Sequence, residues 1–339
     1  MAMSKDPDWF ATQHEGFGRF TPEDDLLHPG HRKDGDSLTE TQYFGFNIPA
    51  ESIYCFGYFW LHPNLDVVSG GLFVCQGIKS AHLQAELFDI HAYVHRKSVI
   101  RDDLRSYRFP NGYGVDVLEP GRRMRIRYDD ASRGNHVDVE ATAIMPVAMR
   151  GNDKHFEQAM RMRGSLMLRG KKHVVDGFNI RDRSWGELRP EEPQALPPMT
   201  WLTGAFDDDF AFNCNAFDHP DLEPEWKGRL SLSPERAFND GWVFHDGKLL
   251  RLRTARKRTV RDPRTGRPLS HRIETEDANG KSWTITGTVR AGLPWAGWPN
   301  MICQLFLTRW ECEGRVGWGD TQEVQWTDYV RACTQPPTQ

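Results

Sequence analysis

The residues best suited to acid chemistry are two aspartates, Asp176 and Asp182, in the stretch Val174-Val175-Asp176-Gly177-Phe178-Asn179-Ile180-Arg181-Asp182-Arg183-Ser184-Trp185-Gly186-Glu187. A carboxyl group keeps its proton near neutral pH when burial raises its pKa, and it is then a general acid. Arg181 and Arg183 oppose that role if they face Asp182, because a neighbouring cation lowers a carboxyl pKa; they permit it if they point away. The same residues also read as a strand-end ion-pair cluster with Trp185 as the plug of a barrel. Aromatic faces stabilise a desolvated cation by about 2 kcal/mol or more. Tyr58, Trp60, Trp185, Trp201 and Trp318 are the candidate walls.

A second acid–base set is His62, which follows the aromatic run from Tyr54 to Trp60; His155, in Lys154-His155-Phe156-Glu157-Gln158; and His173 beside Val174. Each also reads as a hydrogen-bonded structural histidine. His62, His82, His91 and His95 invite a metal reading, but His91 and His95 fall in a strand or loop without the helical Glu of the HExxH arrangement, so no metal set is assigned. Gly112-Tyr113-Gly114 lacks the strand-to-helix context of a dinucleotide site, and no Gly-x-Ser-x-Gly elbow occurs. No cofactor is expected. The stretch from Arg251 to Arg272 holds nine Lys and Arg residues, yet Glu274, Glu276 and Asp277 follow it and the whole chain carries a net charge of −4. It reads as a solvated hairpin, not as a nucleic-acid surface.

The elements that must position these residues are strands. Leu72-Phe73-Val74-Cys75, Val115-Asp116-Val117-Leu118, Met124-Arg125-Ile126-Arg127-Tyr128 and Val137-Asp138-Val139-Glu140-Ala141 are short runs bounded by Gly, Pro or Asp. Leu250 to Val260 alternates up to the turn at Asp262–Gly266, and a second turn at Asp277–Lys281 precedes Trp283-Thr284-Ile285-Thr286. Meandering antiparallel sheets follow. Asn152 to Met162 is left open between helix and strand. With 339 residues the chain has room for about two domains. The Pro-rich stretch from Arg189 to Pro198 reads as a stiff linker dividing residues 1–195 from 196–339. Each half ends its strands on a Trp-Gly-acid triplet, Trp185-Gly186-Glu187 and Trp318-Gly319-Asp320, as a duplicated β-domain would. Twelve Trp and nineteen Phe ask for large apolar walls. Six scattered cysteines and an N-terminus without an apolar leader point to a soluble cytoplasmic protein with no membrane span.

Around Asp182-Arg183-Ser184-Trp185-Gly186 the chain resembles the tandem lipocalin-like superfamily that includes carotenoid hydratases and AttH-type proteins. Tyr58-Phe59-Trp60-Leu61-His62-Pro63-Asn64, Pro198-Met199-Thr200-Trp201 and Gly314-Arg315-Val316-Gly317-Trp318-Gly319-Asp320-Thr321-Gln322-Glu323 are similar to a branch of unknown function (the DUF7064/DUF7065 type). The resemblance runs from about Phe44 to Arg331. It implies an all-β fold of two tandem lipocalin-like antiparallel barrels or sandwiches with few helices, enclosing an apolar cavity. It also implies a cofactor-free enzyme in which Asp182 protonates an alkene. At Arg183-Ser184 the chain departs from the His-Asn of the hydratases, which bears on substrate and chemistry.

The expected function is a cofactor-independent lyase, a hydratase or dehydratase, acting on a hydrophobic small molecule such as a terpenoid, steroid or lignin-derived aromatic. The alternatives are a retro-aldol, formaldehyde-releasing lyase or isomerase acting on a phenol through His62 or His155, and a non-catalytic carrier of a hydrophobic ligand. The oligomeric state is open, a homo-oligomer included.

Overall fold

The computed structural model describes residues 14–28, 35–189, 192, 195–222 and 232–334. Twelve strands form the first sheet: β1 Leu38–Ile48, β2 Ile53–His62, β3 Val67–Gln76, β4 Leu87–His95, β5 Ile100–Arg101, β6 Ser106–Arg108, β7 Gly114–Glu119, β8 Arg123–Asp130, β9 Asn135–Ala143, β10 Ala148–Met149, β11 His155–Leu168 and β12 Lys171–Leu188. Eight more form the second: β13 Met199–Asp207, β14 Phe210–Phe217, β15 Phe238–His245, β16 Lys248–Arg261, β17 Pro268–Asp277, β18 Ser282–Trp298, β19 Met301–Cys312 and β20 Arg315–Trp326. The first sheet runs β4-β3-β2-β1-β12-β11-β9-β8-β7-β6-β5 with β10 added on β11, and β13 to β20 close into a barrel in chain order. The fold is all-β, two tandem lipocalin-like domains. The chain clusters into two compact units, Met1–Val74 with Glu86–Pro190, and Cys75–Ala85 with Glu191–Gln339. In the second unit Ile78 bridges Gly292.

Local sequence explains the strands. On β9 the buried Val137, Val139 and Ala141 alternate with partly or fully exposed polar residues, the pattern of a half-solvated antiparallel strand. Leu250 to Val260 lies within β16, the turn at Asp262–Gly266 follows it, and β17 and β18 flank the turn at Asp277–Lys281, as the alternation requires. The stretch left open, Asn152 to Met162, is strand from His155 onward. β1 and β2 are buried along their whole length on both faces, which is why Tyr54 to Trp60 reads as an unbroken apolar run. One face carries Phe44, Phe46, Cys55, Phe59 and Leu61 into the main core of the first unit. The other carries Tyr43, Tyr54, Phe56, Tyr58 and Trp60. The barrel core is built on Leu202, Phe210, Phe212, Cys214, Ile273, Trp283 and Trp310.

The two Trp-Gly-acid triplets sit in β12 and β20, the last strand of each sheet, but their glycines serve different needs. Gly186 has a φ of 65°, in the left-handed region, where the pairing of β1 with β12 shifts register. Gly319 is there for space, since a Cβ would lie 2.1 Å from the Thr203 carbonyl oxygen. No helix among the described residues is long and apolar enough to cross a membrane.

Candidate active site

Strand register builds the site. Across β11, β12, β1 and β2, one row of opposed residues is Glu157, Asp182, Tyr43 and Tyr58, and the next is His155, Ser184, Thr41 and Trp60. Opposed residues of antiparallel neighbours project from the same face, so these eight side chains share one surface about 14 Å wide. Phe56 extends it, stacking on Tyr58 at 5.5 Å and on Phe73 at 5.2 Å between ring centres. His62, two residues beyond Trp60, sets its ring 5.0 Å from the indole.

The acid–base centre lies at the β11 end of this surface. The His155 Nε2 is 3.1 Å from Asp182 Oδ2 and 3.3 Å from Glu157 Oε1, with Arg150 Nη2 a further 3.9 Å from that Glu157 oxygen. Burial and Arg150 both work against a charged ring. Asp182 and Glu157 overcome them and carry the His155 pKa up to about 9, so the ring is an imidazolium at neutral pH. The three ligand atoms lie within 4.8 Å of one another, close enough to share a divalent ion. Arg150 already supplies a positive charge beside Glu157, which disfavours an ion there.

The flanking arginines face away from this centre. Arg181 pairs with the fully buried Asp25, donates to Gln158 and lies over the Phe156 ring. Arg183 pairs with Glu40 and donates to the Asp24 and Leu26 carbonyls. Alternation along β12 sends residues 181 and 183 to one face and 182 to the other, and each cation has its own carboxylate. Asp182 therefore keeps the aromatic face, with 19% of its side-chain surface exposed.

At the other end, Thr41 Oγ1 and Ser184 Oγ are hydrogen-bonded at 2.8 Å. Arg189 Nη2 donates to Ser184 at 3.1 Å and Nη1 to the Tyr58 hydroxyl at 3.3 Å. Burial holds the Tyr58 phenol above its ordinary pKa, so it stays protonated.

A family model described as a domain of unknown function, DUF7064, matches residues 21–328. The chain belongs to that family. Three solved structures share the fold at low identity. A protein described as AttH from Nitrosomonas europaea is 14% identical with a TM-score of 0.62, over 93% of this chain and 98% of that one. Kievitone hydratase from Nectria haematococca is 11% identical with a TM-score of 0.56, over 95% and 99%. CghA in complex with Sch210972 is 13% identical with a TM-score of 0.58, over 95% and 97%. No curated protein matches.

In this DUF7064 chain Asp182, His155, Tyr58, Trp60 and His62 share the site surface, and the first unit's other candidates, Asp176, His173 and Trp185, lie off it. Asp176 is on the same strand but exposed, paired with Arg161 and Arg163, and its pKa is held down by Arg161. His173 is buried 2.9 Å from Glu51. Trp185 turns to the opposite face, in a cluster with Phe20, Val147, Met149 and Phe156, and stacks on His28 at 4.0 Å. There it packs on the face of β12 opposite Asp182. Trp201 and Trp318 belong to the second unit, next in sequence to the inward-facing Leu202 and to the close-packed Gly319, so they point out of the barrel. His91 and His95 lie on strand β4 near Asp89 and Asp66. In the basic stretch, Arg251, Arg253 and Arg272 pair with Asp240, Glu276 and Glu274, as a solvated hairpin does, but Lys257 and Arg261 turn inward to the buried Asp218, so the stretch is solvated only in part.

Sequence reasoning passes over Glu157, Tyr43, Thr41, Ser184 and Arg189. Glu157 carries a usable signal, since a strand places it on the same face as His155. Arg189 reads as part of the linker; its backbone N–H instead donates to the Ser37 carbonyl at 3.0 Å, fixing it beside the site.

Proposed function

We propose that the protein is a cofactor-independent lyase of hydratase or dehydratase type acting on a hydrophobic small molecule, with Asp182 as the proton-delivering acid. The observation that carries this reading is the Asp182–His155–Glu157 centre set into an aromatic surface while Arg181 and Arg183 are neutralised on the far face. At rest the proton resides on His155. Nε2 lies 3.1 Å from Asp182 Oδ2, so the proton can pass to the carboxyl that faces the aromatic surface. The alkene takes that proton and becomes a carbocation, faced by Tyr58, Trp60 and Phe56. Water adds to the cation and gives its surplus proton back to the Asp182 carboxylate, which re-protonates His155. One water is consumed, or released in reverse.

The charged state of His155 counts against its use as the base of a retro-aldol reaction, because a base must be free of its proton. Thiols at all six cysteines support a reducing, cytoplasmic setting. The test is incubation of purified protein with a pool of terpenoids, steroids and phenols in deuterated water, read by mass spectrometry. A product gaining or losing water and carrying solvent deuterium at carbon is expected. It should fall by about 10²–10⁴-fold in Asp182→Asn. A turnover that Asp182→Asn leaves unchanged would overturn the assignment, and retention of a compound without any mass change would make the protein a carrier.

A further inference from the structure

On the far face of β11 and β12, behind the acid–base centre, Asp25, Gly121, Gln158 and Arg181 form a closed ring of polar groups, and all three side chains are buried. Arg181 Nη1 donates to Asp25 Oδ1, and Arg181 Nε to Gln158 Oε1 at 2.8 Å. Gln158 Nε2 donates to the Gly121 carbonyl at 2.8 Å, and the Gly121 N–H closes the ring on Asp25 Oδ2 at 2.7 Å. Asp25 comes from outside the sheet. It ends the short turn Pro22–Asp25, in a segment fastened by the Gly18 N–H to the Met149 carbonyl at 3.0 Å and by Phe20 edge-on to Phe156.

A stabilising role is a weak explanation for the ring, because replacing a buried ion pair by packed apolar residues is commonly neutral or favourable. Its position says more. Gln158 and Arg181 are directly opposed, one rung from the opposed pair Glu157 and Asp182. The near-face centre balances two carboxylates, Asp182 and Glu157, against two cations, His155 and Arg150. Without Asp25, Arg181 places an uncompensated buried charge behind that centre. At on the order of 10 Å and an effective dielectric constant of about 20, such a charge lowers the centre's affinity for a proton about tenfold.

We propose that Asp25 is a positioning residue for the proton transfer: acting through Arg181, it cancels the cation behind Asp182 and so keeps the stored proton on the Asp182–His155–Glu157 centre. This deepens the lyase reading and rests on it for the reaction, but the claim about the stored proton stands on the ring itself. Among the described residues Asp25 is the one carboxylate paired with Arg181, so nothing substitutes for it. The segment that carries Asp25 thereby belongs to the proton-transfer machinery, although it reaches the sheet from the far face.

The test follows the His155 ring by nitrogen NMR on the full chain in the presence of EDTA, its signal assigned by its loss in His155→Gln. Asp25→Asn should lower the midpoint of that titration by about one pH unit, and the alkaline limb of solvent-deuterium transfer should move down with it. Adding Arg181→Met removes the surplus cation and should return both to within about 0.3 units of wild type. A residue that only stabilises the fold would lower the urea midpoint in Asp25→Asn and leave the titration in place, which would overturn the proposal. A shift that persists in the double variant would overturn it as well. If Asp25→Asn does not fold, Arg181→Gln carries the test with the opposite sign. Asp25, still accepting from the Gly121 N–H, then becomes the surplus charge and should raise the midpoint by about half a unit or more; an unmoved midpoint refutes the assignment. The two readings fail separately. A midpoint that moves as expected in a protein without deuterium transfer removes the lyase reading and leaves Asp25 in control of the proton, whereas an unmoved midpoint with transfer intact removes Asp25 and leaves the lyase.

Discussion

Two buried histidines, one in each unit, have opposite electrostatics. His155 in the first unit sits between Asp182 and Glu157 and its pKa rises to about 9. His271 in the barrel sits between two hydroxyls, Thr259 at 3.1 Å and Thr321 at 3.0 Å, and its pKa is pushed well below the ordinary value by burial and by the nearby cations of Lys257 and Arg261. Burial disfavours the charged form in both, so the neighbours decide the outcome. Where the neighbours are carboxylates the ring becomes a stored proton. Where they are hydroxyls, it is a neutral link in a structural network. The comparison points to the first unit for proton chemistry and gives the barrel's polar interior the character of a scaffold.

That interior supplies the largest expected effect on stability. Asp218 holds Lys257 at 2.7 Å and Arg261 at 2.6 Å, and Arg261 reaches on to Glu323 at 2.8 Å, with Lys257, Asp218 and Glu323 fully buried. Although burial works against its charge, the two cations hold the Asp218 carboxyl below its usual range. Asp218→Asn leaves Lys257 without its counter-charge, and a loss of about 3–5 kcal/mol is expected in urea denaturation. Adding Lys257→Met should recover more than half of it, because Arg261 retains Glu323. A neutral outcome for the single variant would mean that the network is no scaffold and would remove the contrast between the units.

The next effect is the pH dependence. The folded pKa of His155 lies above the value of about 6.5 for an exposed ring, so its contribution to stability is complete below pH 6.5 and is lost as pH rises toward 9. A shift of that size corresponds to about 3 kcal/mol between those limits. His271 has the opposite sign, its penalty growing as pH falls below 6.5. Denaturation midpoints at pH 5.5, 7 and 9 should therefore decline on both sides. His155→Gln should flatten the alkaline side and His271→Gln the acid side. If one substitution flattens both, the two rings are not independent.

Alternation along single strands is legible in the amino-acid sequence alone: β8, β9, β16 and the start of β18 follow from period-2 patterning and their turns. The pairing of strands distant in sequence is not. His155 meets Asp182 because β11 lies beside β12, and Asp182 meets the aromatic wall because β1 is the other neighbour of β12; neither adjacency leaves a mark in a local window. For the same reason Arg181 and Arg183 can be read for or against an acid at position 182. Their partners, Asp25 and Glu40, lie more than a hundred residues upstream. Trp185 is the instructive case. Strict alternation places it with Arg181 and Arg183, and its burial with Phe156 on that face follows; its proximity to Asp182 in sequence suggests the opposite side.

The smallest expected effect separates the two aspartates from which the functional argument began. Asp176 and Asp182 lie six residues apart on one strand, but Asp176 has more than half of its side chain in solvent and spends its charge on Arg161 and Arg163. Exposed pairs of this kind contribute about 0–1 kcal/mol. Asp176→Asn should thus change stability by no more than about 0.5 kcal/mol, and solvent-deuterium transfer should stay within about twofold of wild type. A severe activity loss in Asp176→Asn with normal folding would shift the acid to the solvent-facing end of β12. It would also make the aromatic surface around Asp182 a feature of packing alone, since a proton donor must lie within reach of the carbon it protonates.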